Sequence, residues 1–107
     1  MGRRAQRKRS AAASDAIAAR RSARDRERLA RLAEGGTPER PITIESASQV
    51  EVVAESMRCP LCDGGLRVLA HEAQVVDGAR RRAARVVCRA CGSTRAIWFA
   101  LAGVSLH

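Results

Sequence analysis

Four cysteines constrain this chain more than any other feature. They form two pairs of identical spacing, Cys59-Pro60-Leu61-Cys62 and Cys88-Arg89-Ala90-Cys91, with 25 residues between them. A two-residue turn between cysteines aims both sulfurs at one point, and the N–H groups of the turn donate to thiolates there. Two such turns brought together make a four-sulfur set for a tetrahedral ion. The interval is longer than the usual zinc spacing of about 15–20 residues. A β-hairpin lengthens at its tip while its base stays closed, so the two knuckles belong at the base of a hairpin.

The pattern predicts one structural Zn2+ held by Cys59, Cys62, Cys88 and Cys91. Four thiolates close the coordination sphere, whereas a catalytic zinc keeps a position for water. Three other uses of the cysteines fit the sequence less well. A thioredoxin-like pair opens a helix, which Gly64-Gly65 would break. A rubredoxin-like iron site has an aromatic surround that this chain lacks. Disulfides belong to oxidising compartments, and the N-terminus has the positive charge of a secretory signal without its apolar region. The expected location is the cytoplasm. An acid-poor, Arg- and Ser-containing start also has the composition of an organellar transit peptide. The longest apolar run, residues 96–104, is far short of the ~20 residues a bilayer requires.

The need for a metal agrees with the core that the composition allows. Only Trp98 and Phe99 are aromatic in 107 residues, and aromatics bury the most area apiece. A module of some seventy residues with so few large side chains falls where burial alone is marginal and a staple is usual.

Charge divides the chain. Residues 1–34 carry a net +7, residues 35–57 a net −3 and residues 58–107 a net +5. Residues 1–10 are a dense basic cluster with nothing to bury, expected to be disordered when free. A helix is expected from Ser14, which caps it, to Gly35-Gly36, which stop it. Its apolar positions, Ile17, Leu29, Leu32 and several alanines, make a stripe too thin to guarantee docking. Residues 42–45 alternate as a short strand. Ser48 and Glu51 have the spacing of a capping box, predicting a helix over 49–57 with Val50, Val53, Ala54 and Met57 on one side. Strands are predicted over 66–76, 80–87 and 94–101, with Asp77-Gly78 as the hairpin turn. The expected organisation is a basic, partly helical extension (1–36), a linker with a short strand and helix (37–57), and a cysteine module (58–107).

Knuckle, hairpin, knuckle and third strand together resemble the zinc ribbon class. The resemblance covers residues 58 to about 101 and rests on the four cysteines, Gly92 and the three strands. It implies a small α+β fold built on a three-stranded antiparallel zinc ribbon. It departs from the usual pattern after the first pair, where Asp63 stands in place of a glycine.

No serine–histidine–aspartate set, apolar carboxylate pair or phosphate-cradling glycine loop is visible, so neither an enzyme nor a small-molecule substrate is expected. His71 lies mid-strand, where a surface or outer-shell role is expected because four cysteines suffice as ligands; His107 is terminal. Arg80 and Arg82 fall on one face of the hairpin, Arg81 and Arg85 on the other. They serve either as phosphate contacts or as a solvated, charged tip. Trp98 and Phe99 offer rings that stack on bases, yet at strand spacing Phe99 is expected buried and Trp98 at least partly covered. Arg3, Arg4, Arg7, Lys8 and Arg9 are the stronger nucleic-acid signal, because each neutralised phosphate releases counterions without reading sequence. The expected role is therefore non-catalytic binding, with DNA or RNA as partner. The alternative is a protein-interaction module with no nucleic-acid role. No membrane partner is expected.

Overall fold

A computed structural model describes the backbone of residues 2–102 and the side chains of residues 13–102. The elements, in order, are α1 (Gly2–Leu32), β1 (Ile42–Ile44), α2 (Gln49–Ser56), β2 (Leu66–Val76), β3 (Ala79–Cys88) and β4 (Thr94–Leu101). No helix among the described residues is long and apolar enough to cross a membrane.

The helix begins twelve residues earlier than the Ser14 cap suggests, which corrects the expected start of the helix. Alanine, arginine, glutamine and lysine dominate residues 3–13, and all are strong helix formers. With no proline or glycine between Gly2 and Gly35, nothing stops the helix at Ser14. Its 31 residues extend about 46 Å at 1.5 Å per residue. The molecule measures 75 × 25 × 15 Å, so α1 projects rather than packs. Residues 13–26 are exposed throughout, as are Leu29 and Leu32.

Among the described side chains of α1, those of its last turns dock. Glu27 Oε2 accepts a hydrogen bond from Arg95 Nη2 on β4 at 2.8 Å, and Arg26 Nη1 donates to the Leu61 carbonyl at 2.7 Å. Gly35 ends the helix with φ +86°, and a Cβ there would lie 2.7 Å from the Ile42 side chain. The Gly35 carbonyl then accepts the Trp98 N–H at 2.8 Å, which covers part of the β4 edge.

The sheet has four strands in the order β1-β4-β3-β2. β2, β3 and β4 form the expected antiparallel meander, but the sheet is not limited to them. β1 adds in parallel to β4, pairing Ile42 with Phe99 and Ile44 with Leu101. The linker that carries it therefore finishes the sheet edge. The β2–β3 turn has positive φ at both Asp77 and Gly78 (50° and 80°), as a type I′ hairpin requires.

Strand pairing defines two faces. Leu66, Val68, His71, Ala84, Val86, Cys88, Ile97 and Phe99 share one. α2 covers that face with Val50 and Ala54, both fully buried, while Val53 and Met57 pack beside them. Phe99 is fully buried at the centre of this core, and Trp98, on the opposite face, is partly buried.

The capping box at α2 does not form, which corrects that expectation. Ser48 already has helical φ and ψ (−66°, −17°) and makes no side-chain cap bond. The chain turns earlier, so the Gln49 and Val50 N–H groups donate to the Ser46 and Ala47 carbonyls. Gln49 Oε1 reaches back to accept from the Glu45 and Ser46 N–H groups at 2.8 and 3.1 Å.

Candidate metal centre

The two knuckles meet at the base of the hairpin and are built alike. The Asp63 N–H donates to the Cys59 carbonyl at 2.7 Å, and the Gly92 N–H donates to the Cys88 carbonyl at 3.0 Å. Asp63 and Gly92 follow their cysteine pairs at equivalent positions, and both have left-handed backbones (φ 64° and 76°). Aspartate is among the few non-glycine residues that enter this region readily. The departure from Cys-Gly in the first knuckle therefore leaves the turn intact.

Gly64 comes next, and close approach is what it supplies. A Cβ there would lie 2.8 Å from Cys88 Sγ, 2.8 Å from Ala90 Cβ and 3.2 Å from Cys62 Sγ. Gly65, by contrast, faces open space. The Arg89 N–H donates to the Gly65 carbonyl at 2.9 Å, fastening one knuckle to the other.

All four Sγ atoms lie within 4.8 Å of one another. Cys59 and Cys91 sulfurs are 3.7 Å apart, and Cys62 and Cys88 sulfurs 3.3 Å. A tetrahedral ion with bonds of about 2.3 Å to sulfur needs edges of about 3.8 Å. The two close pairs lie within about half an ångström of that edge, and the remaining separations, none above 4.8 Å, let the sulfurs draw in on such an ion. Cys59 and Cys88 are buried, whereas Cys62 and Cys91 form the exposed side.

Donors around the sulfurs are arranged for negative charge. The Ala90 and Cys91 N–H groups both donate to Cys88 Sγ at 3.4 Å. The Ser93 hydroxyl lies 3.1 Å from Cys91 Sγ and 3.5 Å from Cys59 Sγ, close enough to donate to either thiolate. Cys62 is pushed up to about 12, chiefly by its hydrogen bond with Cys88. Burial pushes the Cys59 thiol up, but the Ser93 hydroxyl and the Leu61 and Cys62 backbone outweigh it, and its acidity ends above that of an ordinary cysteine. The Cys91 and Ala90 backbones lower Cys88, and Ser93 lowers Cys91. Three of the four groups are thus biased toward the thiolate that binds metal.

The other sequence candidates lie away from this centre. Arg80 and Arg85 are exposed on β3, on opposite faces as expected. Arg82 Nη1 contacts His71 Nε2 at 3.2 Å on the α2 side of the sheet, far along the hairpin from the cysteines. Arg81 Nε donates to the Pro38 carbonyl at 2.7 Å. The backbones of Arg3, Arg4, Arg7, Lys8 and Arg9 lie in α1, but their side chains are outside the described residues, as is His107. Ser93 escaped the sequence reading. Its signal was modest, a hydroxyl two residues past a cysteine in Cys-Gly-Ser.

Comparison with protein-family models, curated proteins and solved structures finds no match for the chain.

Proposed function

We propose that the protein is a non-catalytic, cytoplasmic binding module of zinc-ribbon type, stapled by one Zn2+ and contacting nucleic acid through arginine. The observation that carries the metal part is the set of four sulfurs, two of them on buried cysteines, all within 4.8 Å of one another. Zinc is the ion because tetrahedral four-cysteine sets favour it or iron, and the aromatic surround of a rubredoxin-like site is missing. The closed sphere supplies stability and no open coordination position, which supports a role without chemistry.

The binding part rests on charge. Eleven basic residues fall in the first 34, against four acidic ones. α1 extends from the sheet as a rod whose described residues 13–26 are exposed, Arg20, Arg21 and Arg24 among them. Among the described residues only two ion pairs occur, Arg28–Asp25 and Arg95–Glu27. Arginines at the hairpin tip add a second basic region on both sheet faces.

A salt titration of duplex-DNA and structured-RNA binding by the zinc-loaded full chain tests this reading. Affinity should fall steeply with salt, and replacing Arg3, Arg4, Arg7, Lys8 and Arg9 with glutamine should flatten the slope by about one for each lost phosphate contact. Absence of binding at low salt would overturn the nucleic-acid role and point to a protein partner.

A further inference from the structure

The sheet face opposite α2 has no helix in its core and a composition unlike the rest of the molecule. Strand register brings Arg67, Ala70, Glu72 and Gln74 of β2 onto this face. β3 adds Arg81, Ala83, Arg85 and Val87, and β4 adds Thr94, Ala96, Trp98 and Ala100. Arg67, Ala70, Arg85, Thr94 and Ala96 are all exposed. Four alanines keep the surface low, so the long groups that stand above it are three arginines, one indole and the Glu72–Gln74 pair.

Their arrangement is specific. Ala83 pairs directly with Trp98, and Arg81 and Arg85 lie two residues to either side of Ala83. Both arginines are therefore diagonal cross-strand neighbours of the indole, within reach of long side chains. Arg81 is held by donating from Nε to Pro38 and from Nη1 to the Arg80 carbonyl, bonds that do not involve Nη2. Glu72 is the acid of this face, and it accepts from Gln74 Nε2 at 2.8 Å. Neither ion pair of the described residues involves Arg67, Arg81 or Arg85.

A partly buried aromatic ring flanked by cations on an alanine-rich sheet face has the chemistry that single strands use. Bases stack on the ring without regard to sequence, and guanidinium groups follow the phosphates. A duplex hides its base faces inside the stack and gains nothing from the indole. We propose that this face is a single-strand-selective nucleic-acid site, with Trp98 as the stacking residue and Arg67, Arg81 and Arg85 as its phosphate contacts. The inference deepens the nucleic-acid reading above and rests on it.

Trp98 is the lone tryptophan, and the chain has no tyrosine, so intrinsic emission reports on this site alone. The test titrates the zinc-loaded full chain with oligo(dT), oligo(U) and a blunt duplex of equal length at low salt. Emission and the anisotropy of labelled strands are followed together. One or both single strands should quench Trp98, and the duplex should bind without quenching. Ala96→Glu puts a carboxylate on the exposed face without touching the core. It and Arg85→Glu should weaken single-strand binding about tenfold and change duplex binding much less, while Trp98→Phe keeps a ring and most of the affinity. Equal affinity for both forms with unmoved emission would overturn the single-strand site and leave the nucleic-acid reading standing. No binding of either form at low salt would overturn both.

Discussion

Gly64 and Gly65 are adjacent and chemically identical, yet their surroundings differ. A methyl at Gly64 meets two sulfurs and Ala90, whereas one at Gly65 meets nothing. Gly64→Ala should therefore spread the knuckles and cost about 1–3 kcal/mol, as overpacking usually does, with a matching loss of metal affinity. Gly65→Ala should leave both within about 0.5 kcal/mol, the range of unremarkable surface changes. Denaturation of the two variants beside the parent checks the contrast. Ser93→Ala removes the hydroxyl between Cys59 and Cys91, and outer-shell losses typically cost about 10–100-fold in metal affinity. Competition with a chromophoric chelator measures it, with Ser93→Thr expected to recover most of the loss. The pH dependence follows from Cys62. Raised to about 12, its thiol still holds a proton at neutral pH, and a metal must displace that proton to bind. Affinity should rise with pH and fall on acidification, with proton release at pH 7 visible by calorimetry in buffers of different ionisation heat. Affinity independent of pH between 6 and 8 would contradict this.

At the scale of elements, α2 and β4 share the core. Phe99 of β4 is fully buried in the core cluster that includes Val50 and Ala54 of α2, and no other aromatic supports it there. Phe99→Ala should cost about 3–5 kcal/mol, read by chemical denaturation of the metal-loaded protein. The three antiparallel strands were legible in the sequence because alternation, Asp77-Gly78 and the cysteine pairs punctuate them locally. β1 was legible as a strand but not as a partner of β4. That pairing is parallel and crosses more than fifty residues, and no local signal encodes it. Ser14 had the chemistry of a cap but does not start α1, because residues 3–13 are mostly strong helix formers unbroken by glycine or proline and carry the helix back to Gly2. The Ser48 capping box failed for a related reason: a turn beginning at Ser46 satisfied the first N–H groups before the side chain was needed.

On the scale of the whole molecule, a thin core and a four-sulfur centre describe one design. The fully buried side chains include a single aromatic, Phe99, with Val50 and Val86 as the other large apolar groups. Folded domains are stable by only about 5–15 kcal/mol, and structural zinc contributes an apparent ~10–16 kcal/mol in small peptides. The metal is thus expected to decide whether the sheet exists. That the four cysteines come together was readable from spacing alone, since C-x2-C repeated at a hairpin's base permits few geometries. The donors around them were not, because Ser93 and Gly64 act through proximity that only the fold creates. The most direct measurement is metal analysis of the purified full chain, followed by chelation while Trp98 emission and β-sheet circular dichroism are recorded. The account predicts one zinc per chain and collapse of the sheet as the metal leaves, with recovery on adding zinc back. A native sheet persisting in demonstrably metal-free protein would contradict it.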